Sequence, residues 1–353
     1  MRSTTSSKTD FLRRLCPAAR HFPVELVAAD LLQPDGWPAA VAGCAYVLHV
    51  ASPFTIVEPA DADALIKPAV DGTLHVLRAC RDASPRPRRV VVTSSFATIG
   101  YGVARPADYR FTEADHTDPD GPGVGAYVRS KCLAEAAARE FVAGLPPAQA
   151  LELVTVHPTL VLGPTLGGRV DSGSAEIVGR LLRGEIPALA RVPVNAVDVR
   201  DVALVHVAAM THAAAAGERF LVSGAALTLD QLGPPLAAAF APLGYRVPWF
   251  VAPDFLLRLA AWVDADAAAA ASQLGKPKLA DATTAAALFG LTFNADFAAL
   301  AVDLGRGLIA AGQVPDRSPG LVLSVHLPPP ARDALSAPRF PPALSRLALP
   351  PAT

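Results

Sequence analysis

The chain has 353 residues, 52% of them hydrophobic and 18% charged, with 31 Lys+Arg against 32 Asp+Glu and a formal net charge of -1. So much apolar residue excludes disorder as the global state, and the balanced charge excludes a basic field for nucleic acid, which leaves a small molecule as the expected partner. No apolar run reaches the roughly 18 residues of a spanning helix, and residues 1–8 hold no signal-peptide core, so a cytoplasmic protein without membrane contact is expected.

Short Val- and Leu-rich runs alternate with longer helical patterns, the mark of a mostly parallel sheet covered on both faces. In chain order the pattern predicts a strand over 24–29, a short helix over 37–42, a buried strand over 46–51 ending at Ser52-Pro53, and a helix over about 63–83. A central strand follows over 89–95, then a Pro/Asp/Gly loop over 105–125, a strong helix over 126–143, and a strand over 151–156 running into His157-Pro158. Beyond Leu166 the rhythm loosens into a helix over 174–183, a segment over 194–210, a strand over 219–223 and Ala-rich helices. The expected class is therefore α/β, a doubly wound parallel sheet over 1–165 that takes a further strand and helix from about 194–225. A smaller lobe over 166–314 is expected to bind substrate. From Pro315 to the end, 10 of 39 residues are proline, and an extended, largely disordered tail is expected.

One constellation can carry chemistry. Ser95 stands at the end of a buried strand, and Tyr127 and Lys131 stand four apart at the start of a helix, so they project from one face. A phenol with its ordinary pKa of about 10 exchanges protons near neutrality only if the phenolate is stabilised, and an adjacent ammonium does that. Ser95 then holds the reacting oxygen, which makes a proton-transfer site for a carbonyl/alcohol pair. Taken alone, Tyr-x-x-x-Lys is also common on exposed helix faces, and a Ser after a strand is ordinary turn chemistry.

Around these residues lie Val27-Ala28-Ala29-Asp30-Leu31, Gly43-Cys44-Ala45-Tyr46-Val47-Leu48-His49-Val50-Ala51-Ser52-Pro53 and Val70-Asp71-Gly72-Thr73. Further on come Val92-Thr93-Ser94-Ser95, His157-Pro158-Thr159-Leu160-Val161-Leu162-Gly163-Pro164 and Val197-Asp198-Val199-Arg200-Asp201. In this order the pieces resemble the extended short-chain dehydrogenase/reductase family, in the branch of dihydroflavonol, cinnamoyl-CoA and aldehyde reductases. The resemblance covers roughly residues 2–313. It implies a Rossmann-like fold, NADP (NADPH) as cofactor, a small carbonyl substrate and a monomer or homodimer. It implies Tyr127 as general acid/base, Lys131 lowering its pKa and binding the nicotinamide ribose, and Ser95 polarising the carbonyl, with Ser94 as fallback. Asp30 and Leu31 fall where the family contacts adenine, Val50, Ala51 and Ser52 line the cofactor path, and Pro158 lies against the nicotinamide. A plainer role for Asp30 is a strand-end cap.

The sequence departs from the family at its start. Among its 25 glycines there is neither Gly-x-x-Gly-x-x-Gly nor Gly-x-Gly-x-x-Gly, the turn whose amides bind the pyrophosphate. Gly121-Pro122-Gly123-Val124-Gly125 is the nearest imitation and reads as a turn. Met1-Arg2-Ser3 aligns with the end of the family's second strand, so the expected fold lacks its first β-α-β portion, about 35 to 40 residues. Two outcomes then stay open: 24–29 shifts to pair with 46–51, or that edge is exposed and sticky. Arg2 and Lys8 occupy positions where relatives place cations on the 2′-phosphate of NADP.

The four cysteines are too far apart for a disulfide framework, and the histidines show no metal spacing, so no metal is expected. His49 and His157 read as interior histidines, Asp198 to Asp201 as an ion-paired turn, and 254–263 as a helix whose apolar face packs in the core or walls a substrate pocket. Two rival functions remain: a cofactor-impaired, non-catalytic remnant, and a nucleotide-sugar epimerase or dehydratase.

Overall fold

A computed structural model describes residues 24–53, 59–166 and 172–317. Arg2, Lys8, Cys16 and nearly all of the Pro-rich tail lie outside the described residues.

The first half alternates as expected: α1 (Trp37–Val41), β1 (Tyr46–His49), α2 (Asp63–Asp82), β2 (Arg89–Thr93), β3 (Arg110–Phe111), α3 (Ala126–Ala143) and β4 (Glu152–Pro158). Then come β5 (Leu160–Leu162), α4 (Gly173–Arg183), β6 (Pro193–Asp198), α5 (Val199–Thr211), β7 (Arg219–Val222), β8 (Ala225–Thr228) and α6 (Gly233–Phe240). The chain continues through α7 (Asp254–Ala260), α8 (Ala265–Gln273), β9 (Leu279–Ala280), α9 (Thr283–Phe289) and α10 (Phe297–Ala310). The expected segment over 194–210 is a strand followed by a helix.

The main sheet is parallel, in the order β1-β2-β4-β7. Its strands alternate sides residue by residue. Val90 and Val92 pack with Leu153 against Val76, Leu77 and Cys80 of α2 and Ala138 of α3. Val91, Val154 and Val156 pack on the other face against Val202 and Val205 of α5 and Phe289 of α9. Helices on both faces explain the nearly continuous Val/Leu composition of these strands. A third cluster joins α4, α6 and α10 through Leu181, Leu182, Phe240, Leu300, Leu304 and Leu308. It covers the smaller sheet β5-β6-β8.

Two polar devices fix the base and the turn of this scaffold. Arg89, 1% exposed, donates to the Ala209 and His212 carbonyls at the end of α5, each at 2.7 Å, and pairs with Glu152 at 2.6 Å. Asp198 caps α5 by accepting from the Arg200 backbone N–H at 2.8 Å and pairs with the Arg200 side chain at 2.6 Å. A cap of this kind contributes about 1 kcal/mol.

Two expectations need correction. Residues 24–29 form no strand and no ladder with any described strand. Of the two outcomes left open, the direct pairing with 46–51 does not occur, and the β1 side of the sheet is exposed, with Leu48 at 40% and Val50 at 59%. A strand exists only through its ladder, and apolar composition cannot supply one. The apolar face over 254–263 is not in the core either. Phe255 is 67%, Leu259 66% and Trp262 88% exposed, because α7 packs chiefly against α8 and buries no residue of its own.

Candidate active site

The site forms where the carboxyl ends of β2 and β4 meet the start of α3. β2 ends at Thr93, and Ser95 in extended backbone caps the short turn Phe96–Thr98, its hydroxyl accepting from the Ala97 N–H at 3.1 Å. The two adjacent serines are thereby separated. Ser94 faces inward and donates to Glu135 Oε2 at 2.6 Å, whereas the Ser95 side chain hydrogen-bonds Tyr127.

Helix α3 begins after Gly125 and buries Ser130, Lys131, Ala134, Glu135 and Ala138 on one side. The loop before it passes close to the chain after Ser95 because glycines meet there: a Cβ on Gly121 would strike the Gly102 backbone, and Gly102 itself has φ +70°. The glycine-rich stretch 121–125 is thus a turn that lets two loops touch.

Burial dominates the electrostatics. The Tyr127 phenol is held above its ordinary value by burial, with the Ser95 hydrogen bond pulling the other way. The expected depression of this phenol by Lys131 is absent, because burial outweighs every other influence on it. Lys131, 8% exposed, is itself pushed down to about 8 by burial, against the raising effect of Glu135. Its ammonium reaches the Thr93 carbonyl at 3.5 Å, a long contact for one of three donors.

Behind the site lies a buried ionic network. Arg219 Nε donates to Glu135 Oε1 at 3.0 Å, and its terminal nitrogen donates to the Glu113 and Asp115 carbonyls at 2.6 and 2.8 Å. Burial alone would raise Glu135, but His157, Arg219 and the Ser94 hydroxyl outweigh it and hold the carboxyl at about 2. His157 bridges Thr98 Oγ1 at 2.9 Å and Thr155 Oγ1 at 2.8 Å, and burial lowers it to about 4. His49, 6% exposed, is lowered to about 4 by the same cause. Both are neutral interior histidines.

The other expected residues sit as follows. Val50 and Ala51, exposed, and Ser52, half-buried, continue from β1 at the same end of the sheet, and Pro158 closes β4 opposite Val222. Asp30 Oδ1 accepts from the Leu32 N–H at 3.1 Å, and Leu31 lies against Gly72 of α2. Sequence reasoning missed Glu135, Arg219 and Tyr101. Glu135 had a signal, since Tyr127, Lys131 and Glu135 follow one helix face at a spacing of four. Among the described residues no group of three or more His, Cys, Asp or Glu could hold a metal, and no helix is long and apolar enough to cross a membrane.

Residues 2–223 match the NAD dependent epimerase/dehydratase family. The chain belongs to that family. It is 36% identical over 218 residues to cinnamoyl-CoA reductase CAD2 of Medicago truncatula, covering 61% of this chain and 64% of that protein. It is 32% identical over 235 residues to tetraketide alpha-pyrone reductase 1 of Arabidopsis thaliana, covering 62% and 66%. The chain therefore spans less than two thirds of the length of these relatives. Among solved structures it is similar to Gre2 of Candida albicans in complex with NADPH, with 26% identity, a TM-score of 0.67, and 88% and 90% of the two chains covered.

Proposed function

We propose that this family member reduces an aldehyde or ketone with NADPH, Tyr127 giving the proton to the carbonyl oxygen and Ser95 holding that oxygen. The observation that carries the reading is the meeting of the Ser95 and Tyr127 side chains at the carboxyl end of β2, with the Lys131 ammonium buried one turn further along α3. That end of a parallel sheet is where ligands of such folds bind. The reductase relatives, and the NADPH held by Gre2 of Candida albicans, support the same assignment.

The residues near Tyr127 fit the nicotinamide end of the cofactor. Lys131 is a buried cation whose one described contact is long, so its remaining donors suit ribose hydroxyls. The diphosphate end has no Gly-x-x-Gly-x-x-Gly cradle within the 353 residues. When bound, the reduced nicotinamide supplies a hydride to the carbonyl carbon. Ser95, fixed by its own turn, donates to the carbonyl oxygen and draws charge toward it. Tyr127, raised by burial, stays protonated at neutral pH and is a proton donor in the direction of reduction. Asp30, Leu31, Val50, Ala51, Ser52 and Pro158 are assigned to the cofactor path.

Fluorescence titration with NADPH, followed by NADPH consumption with simple aldehydes and ketones, tests the reading. Saturable binding and turnover are expected, and Tyr127→Phe should lower kcat/KM by about 10²–10⁴-fold at unchanged Tm. Failure of the wild-type chain to bind NADPH, or equal turnover by the variant, would sink it.

A further inference from the structure

The loop between α8 and β9 carries two ammonium groups, Lys276 and Lys278, and among the described residues no carboxylate pairs with either. Lys276 is exposed and donates to the Ser272 carbonyl at 2.8 Å, at the end of α8. Lys278 is half-buried. Its Nζ stands 4.5 Å from the centre of the Tyr101 ring and donates to Gln273 Oε1 at 2.6 Å. The backbone there is fixed as well, since Asn195 Nδ2 donates to the Lys278 carbonyl and the next residue enters β9, laddered to β3.

Tyr101 ties this cation to the active site. It follows the turn that Ser95 caps, and its ring meets Phe96 edge-on at 6.2 Å. Burial pushes its phenol up to about 12, and Tyr127 lies close enough to add to that shift. Tyr101 thus joins Lys278 on one side to Phe96, the first residue of the turn that Ser95 caps, on the other.

A half-buried ammonium with a second, exposed ammonium beside it and no carboxylate partner among the described residues is costly. Burial, and after it the charge of Lys276, push Lys278 down to about 8. The Tyr101 ring fixes the ammonium by a cation–π contact and Gln273 takes one donor, so a donor stays available to an incoming anionic oxygen. A ligand carboxylate would complete this arrangement.

We propose that Lys278, seated on Tyr101, is a substrate-recognising cation that binds a carboxylate on the part of the substrate remote from its carbonyl, so that the chain prefers oxo acids to their uncharged esters. The proposal rests on the reductase reading for its carbonyl end only.

The test takes oxo acids with the carboxylate at graded distances from the carbonyl, each beside its methyl ester, on the full chain and on its Lys278→Met and Lys278→Arg variants. For the best acid, the acid-to-ester ratio of kcat/KM is expected to fall about tenfold or more in Lys278→Met, through KM, and to survive in Lys278→Arg. An unchanged ratio in Lys278→Met overturns the proposal. Calorimetric titration of the same acids without NADPH separates the two readings. Weaker binding by Lys278→Met upholds the subsite even where nothing is reduced, and equal or absent binding rejects it. Wild-type protein that binds the acid but reduces neither acid nor ester counts against the reductase reading instead.

Discussion

The parallel sheet has two edges, and among the described residues only one of them is covered. At β7 every residue is buried. Phe289 of α9 packs on Phe220 at 4.8 Å, and the Leu221 N–H is taken by a Glu113 carboxylate oxygen at 3.0 Å, whose other oxygen accepts from Thr284 of α9 at 3.1 Å. At β1 His49 alone is buried, and Leu48 is 40% exposed. Both strands are short and rich in apolar residues, so composition does not separate them. What separates them is a side chain that satisfies the edge and a helix that lies over it, the devices by which an edge strand is kept from pairing with a stranger.

The covered edge depends most on the ion pair beneath it, because Arg219 is the first residue of β7. Glu135→Ala leaves Arg219 without its buried carboxylate and Ser94 without its acceptor, and should cost about 3–5 kcal/mol in urea denaturation. A loss under about 1 kcal/mol would mean that the Glu113 and Asp115 carbonyls already satisfy the guanidinium, and that the network adds little to this edge.

Next in size is the contrast between two leucines. Leu221→Ala removes a fully buried side chain and should cost about 2–5 kcal/mol. Leu48→Ala, at the open edge, should stay within about 0.5 kcal/mol of wild type. Equal losses would erase the difference between the edges, since they would show that β1 is buried in solution.

The same contrast explains what could be read from the sequence. The strands β1, β2, β4 and β7 and the long helices were legible because their periodicity is local and the fold fills the neighbouring places. Residues 24–29 carry the same apolar signal, but a ladder is a property of two segments and no described strand lies beside them. The face over 254–263 failed for a related reason: helical periodicity shows that Phe255, Leu259 and Trp262 share a side, not that anything covers it. At the site, Ser95 with Tyr127 and Lys131 was legible because a helix turn and a strand end place them. The Arg219–Glu135 pair and the Lys278–Tyr101 pair join segments far apart in the chain, and no spacing rule reports them.

Acid should act on both sides of the sheet through two histidines, His49 on the open strand and His157 on β4. Each is lowered from 6.5 to about 4 by burial, so the unfolded chain binds more protons than the folded one between those values. Their contribution to stability is complete above pH 6.5 and is lost as the pH falls toward 4. The urea midpoint should decline over that window, and His49→Gln should flatten part of the decline. A midpoint that stays level from neutrality to pH 4 would show that neither ring is buried uncharged.

The smallest expected effect on stability is the most informative about the open edge. Leu48→Lys places a charge on β1 where the side chain already meets solvent, and should change stability by no more than about 0.5 kcal/mol. Its effect should show in association instead, because a lysine on an edge strand opposes pairing with a second edge. Light scattering over a concentration series is expected to show less self-association than wild type. Unchanged scattering would clear this edge of any role in association. A destabilisation near that of Leu221→Ala would mean that β1 has a cover in solution, and the two edges would then be managed alike.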